Sequence, residues 1–202
     1  MSGRPDGLAT CWTGVVLAGG RSQRFGGVDK TRLPLAGRTL LQRAIDALAA
    51  VSPTCLVVGR APAAGATVVP DRYPGEGPLG GVLTALEAID SSHALILAAD
   101  LPFISGSLLR DVQRAGADAA AAVVQHPDGR LALCLSVRRD CAAAVHEMWS
   151  RGARRMRDLE NLAPCRRVVA DATTAHGALW NVNDPLTYAR ALEMTEHDCP
   201  AC

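Results

Sequence analysis

Residues 14–30 read GVVLAGGRSQRFGGVDK, an apolar run that stops at a glycine pair and continues into a cationic loop. Val15, Val16, Leu17 and Ala18 together suffice for a buried strand, and Gly19-Gly20 frees the backbone from the usual steric limits on φ. Beyond the glycines, Arg21, Arg24, Gly26, Gly27 and Lys30 bring bare amides and cations into one loop. Such a loop suits a polyanion. Glycines let amides approach phosphate oxygens, arginine makes two-pronged contacts, and lysine supplies a mobile point charge for the outer phosphates. The stretch predicts a strand feeding a phosphate loop and, with it, nucleotide binding. A Gly-rich turn with solvated arginines is the plainer alternative.

Two better-known phosphate loops do not fit. The dinucleotide pattern G-x-G-x-x-G fails because Gly19 and Gly20 are adjacent and no third glycine follows at the right offset. The P-loop pattern fails because Lys30-Thr31 follows Asp29, with Gly26 and Gly27 displaced upstream. What remains, L-A-G-G-x-x-x-R-F-G-G-x-D-K, closely resembles the signature of the sugar-phosphate and cofactor nucleotidyltransferases. The variant with two Gly-Gly pairs and Asp-Lys resembles the molybdenum cofactor guanylyltransferases.

Working outward, 202 residues suffice for one α/β domain with a substantial core, and two full domains would be cramped. The reading places a nucleotidyltransferase domain over residues 12–194, between a flexible N-terminus (1–11) and a flexible tail (195–202). With 21 basic against 20 acidic residues the formal net charge is +1, so no global field draws the chain to nucleic acid or an acidic membrane. Residues 1–11 lack an apolar signal core, and no stretch approaches the ~20 apolar residues of a membrane span. A soluble, cytoplasmic protein is expected. Seven cysteines do not imply disulfides, because Cys55 and Cys134 lie in apolar runs and the count is odd. Only His197, Cys199 and Cys202 have ligand-like spacing, and a single C-x-x-C argues for a frayed tail over a metal site.

Elements alternate along the chain. Thr39 caps a helix with apolar residues at Leu40, Leu41, Ala44, Ile45, Leu48 and Ala49, stopped by Pro53. Strands are predicted over 55–58, 67–69, 94–98, 119–124 and 131–137. Helices are predicted over 82–89, from Ser105 or Ser107 to Ala115, and over 139–149. The expected fold is α/β, a single doubly wound, mostly parallel sheet flanked by helices, Rossmann-like, with an irregular C-terminal part. Ligands of such sheets bind beyond the carboxyl ends of the strands.

Two carboxylates fall at those ends. Asp71 follows Val68-Val69-Pro70 and precedes a loop over residues 72–81 with two prolines and four glycines, a shaped segment suited to a pocket wall. Asp100-Leu101-Pro102 follows the strand at 93–98, where an α/β enzyme holds a metal against phosphates. Mg²⁺ is the expected ion, since it keeps several waters and needs one or two protein carboxylates. For each aspartate a capping or turn role is the alternative. Arg151, Arg154, Arg155 and Arg157 cluster near Gly152, and a solvated face explains such a run as well as a site does. Asn181, Asn183 and Asp184 precede Pro185, which suits a helix-capping turn equally.

The resemblance covers residues 14 to about 192 and implies more. It makes Leu17, Ala18, Gly19, Gly20, Lys30, Asp71 and Asp100 the GTP site, Asp100 the metal ligand, and Arg24, Lys30 and Asp100 the catalytic set. Arg154, Arg155, Asn181 and Asn183 become contacts to a pterin substrate. The implied reaction joins GMP from GTP to the terminal phosphate of molybdopterin, with pyrophosphate released. Molybdoenzyme apoproteins or other cofactor-biosynthesis proteins are the implied partners. In relatives a side chain such as Asn occupies the position of Gly59, which leaves base choice open to a cytidylyltransferase. A non-catalytic nucleotide-binding adaptor that delivers the cofactor is the other alternative. No Ser/His/Asp or Cys/His pattern calls for a covalent intermediate, and His93, His126, His146 and His176 are scattered.

Overall fold

A computed structural model describes residues 11–19, 25–60 and 62–197. The arginine-bearing segment 20–24, with Gly20 and Arg24, and the cysteines at 199 and 202 lie outside the described residues. The seven-stranded sheet has the order β5-β4-β1-β6-β8-β7-β9. Its strands are β1 (Trp12–Leu17), β4 (Thr54–Val58), β5 (Thr67–Val69), β6 (His93–Ala98), β7 (Ala121–Gln125), β8 (Leu131–Arg138) and β9 (Cys165–Val169). Only β8 runs against its neighbours, β6 and β7. A separate hairpin, β2 (Pro34–Leu35) and β3 (Arg38–Thr39), turns through Ala36 at φ 48° and Gly37 at φ 77°. The doubly wound, mostly parallel expectation holds.

Alternation along the strands explains why helices cover both faces. Val15, Leu56, Val58 and Ile96 point to one core layer, while Val16, Val57, Leu95 and Leu97 point to the other. The first layer is completed by α2 (Pro78–Ala88) and α4 (Ala142–Ser150), the second by α1 (Leu40–Ala49) and α3 (Gly106–Gly116). Thr39 caps α1 through Gln42 N, and Ser105, rather than Ser107, caps α3 through Leu108 N. The chain winds from β1 out to β4 and β5 and returns to β6 on the other side of β1. The order of strands thus reverses between β1 and β6, where the carboxyl ends open a crevice.

Several features differ from the sequence reading. Helix α2 begins at Pro78 rather than at residue 82, because proline suits the first helical position and Gly80 packs tightly, a methyl there lying 2.8 Å from Tyr73 Cβ. Residues 139–141 form a 3-10 turn, and α4 starts only at Ala142. The C-terminal part is less irregular than expected: after a 3-10 stretch (Met156–Asn161), β9 adds a parallel edge strand to β7. Beyond β9, α5 (Ala172–His176) precedes α6 (Pro185–His197), which continues past residue 194. No helix among the described residues is long and apolar enough to cross a membrane.

Candidate functional site

The strand tips at β1 and β6 meet directly: Ala99 N donates to Leu17 O at 3.2 Å. Asp100 is therefore presented beside the start of the glycine loop. Lys30 reaches it from the far side of that loop, with Nζ 2.6 Å from Asp100 Oδ2. Side-chain exposure is 17% for Lys30 and 16% for Asp100, so this ion pair is largely withdrawn from water. Local structure aims the lysine. Asp29 Oδ1 accepts from Thr31 N at 3.0 Å and from Thr31 Oγ1 at 2.7 Å, capping the 3-10 turn Lys30–Arg32. Lys30 also donates to Val182 O and Asn183 Oδ1, each at 3.4 Å.

The same cluster leaves acceptors unsatisfied. Among the described residues Asp100 Oδ1 is buried without a hydrogen-bond partner, and so is Asn181 Oδ1. A buried acceptor without a partner costs about 1–3 kcal/mol, more when it is charged, and such a group marks a place where an ion or ligand belongs. An anionic oxygen beside a phosphate-type loop fits a hard divalent cation, with Lys30 retained on Oδ2. Around Asp100, Val182 N donates to its carbonyl at 2.9 Å, and Arg43 Nε donates to Pro102 O at 3.0 Å. The turn behind the carboxylate is thus pinned by both the C-terminal segment and α1. Among the described residues no group of three or more His, Cys, Asp and Glu could hold a metal.

Asp71 lines the opposite side of β1. Its Oδ1 accepts from Tyr73 N at 2.9 Å and from Thr84 Oγ1 at 3.3 Å, which is the turn role foreseen for it. Its Oδ2 is turned elsewhere: a methyl on Gly19 would lie 3.5 Å from it. Asp71 and the glycine loop therefore border one space. Gly59, at the end of β4, has little room for a side chain, since a Cβ there would sit 3.1 Å from Ala18 Cβ. Gly81 lies under Leu17 in the same way, at 3.2 Å. Leu17 and Ala18 are thus packed against two glycines.

The C-terminal candidates separate. Asn183 joins the Lys30–Asp100 cluster as described, and Asn181 lies two residues before it with its Oδ1 buried. Asp184, not Asn183, caps α6, accepting from Thr187 N at 2.8 Å, so Asn183 is left to face Lys30. Arg154 has other company: its Nε is 2.7 Å from Glu76 Oε2, its Nη1 donates to Trp149 O and Ala153 O, and its guanidinium lies 4.7 Å from the Trp149 ring. These contacts fasten it to the loop after Asp71, where Arg154 O lies 2.7 Å from a methyl placed on Gly77. Arg155 is exposed and starts the 3-10 stretch, its N–H donating to Asp158 Oδ2 at 2.9 Å. Among the described residues no hydrogen bond or ion pair joins either arginine to Lys30 or Asp100. The sequence reading missed Asp29, Arg43 and Thr84. A signal existed for Asp29, the residue before the loop lysine; none existed for the other two, whose partners lie far along the chain.

Residues 14–168 match the family described as MobA-like NTP transferase domain. The chain is 37% identical over 155 residues to a probable molybdenum cofactor guanylyltransferase of Chloroflexus aggregans, covering 71% of this chain and 74% of that one. It is 32% identical over 186 residues to the molybdenum cofactor guanylyltransferase of Xanthomonas euvesicatoria pv. vesicatoria, covering 90% and 94%. In fold it is similar to the crystal structure of molybdopterin-guanine dinucleotide biosynthesis protein A from Archaeoglobus fulgidus, with a TM-score of 0.73 at 20% identity over 92% of this chain and 99% of that one. The matched span takes in more than half of the sequence and includes Lys30, Asp71 and Asp100, and the chain belongs to the MobA-like NTP transferase domain family.

Proposed function

We propose that this chain transfers GMP from GTP to the terminal phosphate of molybdopterin, giving the guanine dinucleotide form of the molybdenum cofactor and pyrophosphate. The observation that carries the reading is the Lys30–Asp100 pair at 2.6 Å, set beside the glycine loop at the point where the strand order reverses. The names of the relatives at 37% and 32% identity support guanylyl transfer within it.

The chemistry suits the residues. The attacking terminal phosphate is already ionised at neutral pH, so no strong general base is required. What remains is to align the acceptor with the α-phosphorus and to compensate charge that grows toward the leaving pyrophosphate. Amides around Gly19 bind the phosphates, and the Lys30 ammonium offsets charge on the α-phosphate and the leaving group. Asp100 Oδ1 would hold a divalent cation, Mg²⁺ in this reading, which would supply positive charge to the phosphate oxygens. Arg24 adds cationic charge to the same loop. Asp71 contacts the nucleoside, while Asn181 and Asn183 meet the pterin side with Arg154 and Arg155 on the adjoining wall. The reaction has no need of the membrane or of nucleic acid, and the cytoplasm is its expected location, with molybdoenzyme apoproteins or other cofactor-biosynthesis proteins receiving the product.

The test is a panel of GTP, CTP and ATP with Mg²⁺, following pyrophosphate release that depends on added molybdopterin. GTP is expected to turn over well ahead of the others. Preference for CTP would move the chain to cytidylyl transfer, and tight nucleotide binding without release would make it a delivery adaptor.

A further inference from the structure

We propose that Thr84 is a positioning residue, whose hydroxyl holds the Asp71 carboxylate so that Oδ2 is presented to the nucleotide beside Gly19. The inference rests on the reading that Asp71 contacts the nucleotide.

Thr84 belongs to α2, where its neighbours Val82, Leu83, Ala85 and Leu86 are apolar, and it is only 1% exposed. Packing alone would be served as well by valine there. A buried hydroxyl needs partners, and those of Thr84 lie mostly outside its helix. It accepts from Arg72 N at 3.2 Å and lies 3.3 Å from Asp71 Oδ1, besides reaching the carbonyl of Gly80 one turn earlier at 3.1 Å. The hydroxyl has one proton to share between the Gly80 carbonyl and Asp71, and an ionised carboxylate is the stronger acceptor.

The consequence for Asp71 follows from its two oxygens. Oδ1 is held twice, by Tyr73 N at 2.9 Å and by Thr84, which fixes the rotation of the carboxylate. Oδ2 has no hydrogen-bond partner among the described residues and borders Gly19. An ionised carboxylate only accepts, so the ligand group that meets Oδ2 must be a donor, either a ribose hydroxyl or a base N–H. Thr84 thus links the rigid second turn of α2 to nucleoside recognition.

The test combines Thr84→Val, Thr84→Ser and Asp71→Ala, with GTP affinity measured by calorimetry and kcat separated from KM. Thr84→Val keeps the shape and removes the hydroxyl. It is expected to weaken GTP binding about tenfold with kcat within about threefold, and Thr84→Ser is expected to restore binding. In the Asp71→Ala background, Thr84→Val is expected to add less than a twofold loss, because the two act in series. Comparing 2′-deoxy-GTP and ITP with GTP then locates the donor: the analogue lacking it loses the sensitivity to Asp71→Ala. Should Thr84→Val fail to fold, Thr84→Ala, which leaves space for a water at Arg72 N, serves the same comparison. Equal losses with and without Asp71, or unchanged binding in Thr84→Val while Asp71→Ala weakens it, would overturn the positioning role and leave the nucleotide contact standing. Unchanged binding in Asp71→Ala would overturn both.

Discussion

At the amino ends of the strands a groove of about 910 Å³ is lined by Thr13, Thr54, Ser91, Arg138 and Asp140, among others, whereas Lys30, Asp71 and Asp100 gather at the carboxyl ends. In the groove several of the polar groups satisfy one another. Thr13 and Thr54 hydroxyls lie 3.1 Å apart, Ser91 Oγ donates to His93 O at 2.9 Å, and Arg138 Nε meets Asp140 at 2.6 Å. At the other end Asp100 Oδ1 and Asn181 Oδ1 are buried without partners among the described residues, and Asp71 Oδ2 borders Gly19. An open groove therefore points one way and unmet hydrogen-bonding capacity the other. The second is the better guide, because a self-satisfied surface gains little by binding, while a buried unpaired acceptor is relieved by it. Among the described residues His93 Nε2 and Ser52 Oγ are the exceptions at the amino end, both buried without a partner, the His93 ring centroid lying 4.6 Å from that of Trp12.

The largest expected effect that sharpens this contrast is at Asp100. Asp100→Asn is nearly isosteric, so the fold should survive, with turnover falling about a thousandfold because a bound cation's charge stabilisation is worth several kcal/mol. Rates measured against Mg²⁺ concentration check it; wild-type rates with the same metal requirement would remove Asp100 as ligand.

A smaller effect is expected at the amino end and in stability alone. Burial pushes the His93 imidazole below its usual value, with the nearby Arg138 adding to the shift and Asp140 opposing it. Below about pH 6.5 the unfolded chain takes up a proton that the folded ring resists. Stability is therefore full above that pH and falls as pH drops toward the folded value. His126, lowered mainly by burial, contributes in the same direction. Denaturant melts between pH 7 and 5 should show the decline, and His93→Phe should flatten part of it while leaving turnover at neutral pH unchanged.

The smallest effect is expected in the groove. Arg139→Ala, at an exposed groove position, should change kcat/KM for GTP less than twofold. A tenfold loss would mean that the amino-end groove takes part in the reaction after all.

How much of this was legible in the sequence depended on whether the signal was local. The strand, the glycine pair and Lys30 lie within seventeen residues, and Asp100 lies two residues past a strand whose six residues are all buried, so pattern sufficed. Strand β9 escaped notice because it sits at the sheet edge with Arg166 and Arg167 exposed, which breaks the apolar run. The β2–β3 hairpin was too short to show a period. Arg154 illustrates a different limit: a sequence reveals a charge but not its partner, and Glu76 lies 78 residues away. Thr84 was hidden for the same reason, its hydroxyl meeting a loop twelve and thirteen residues earlier.

The central claim is that the charges gathered at the carboxyl ends act on the transition state. It is tested most directly at Lys30, by titrating GTP calorimetrically into wild type and Lys30→Ala and comparing single-turnover rates of pyrophosphate release. In the proposed reading amides around Gly19 would still hold ground-state phosphates in the variant, whereas a preorganised cation aimed at developing charge would contribute on the order of 3 kcal/mol. The rate is therefore expected to fall about 100-fold with GTP affinity reduced far less. If affinity falls as far as the rate, Lys30 only binds the nucleotide, and the account of the site as a charge-stabilising centre is contradicted.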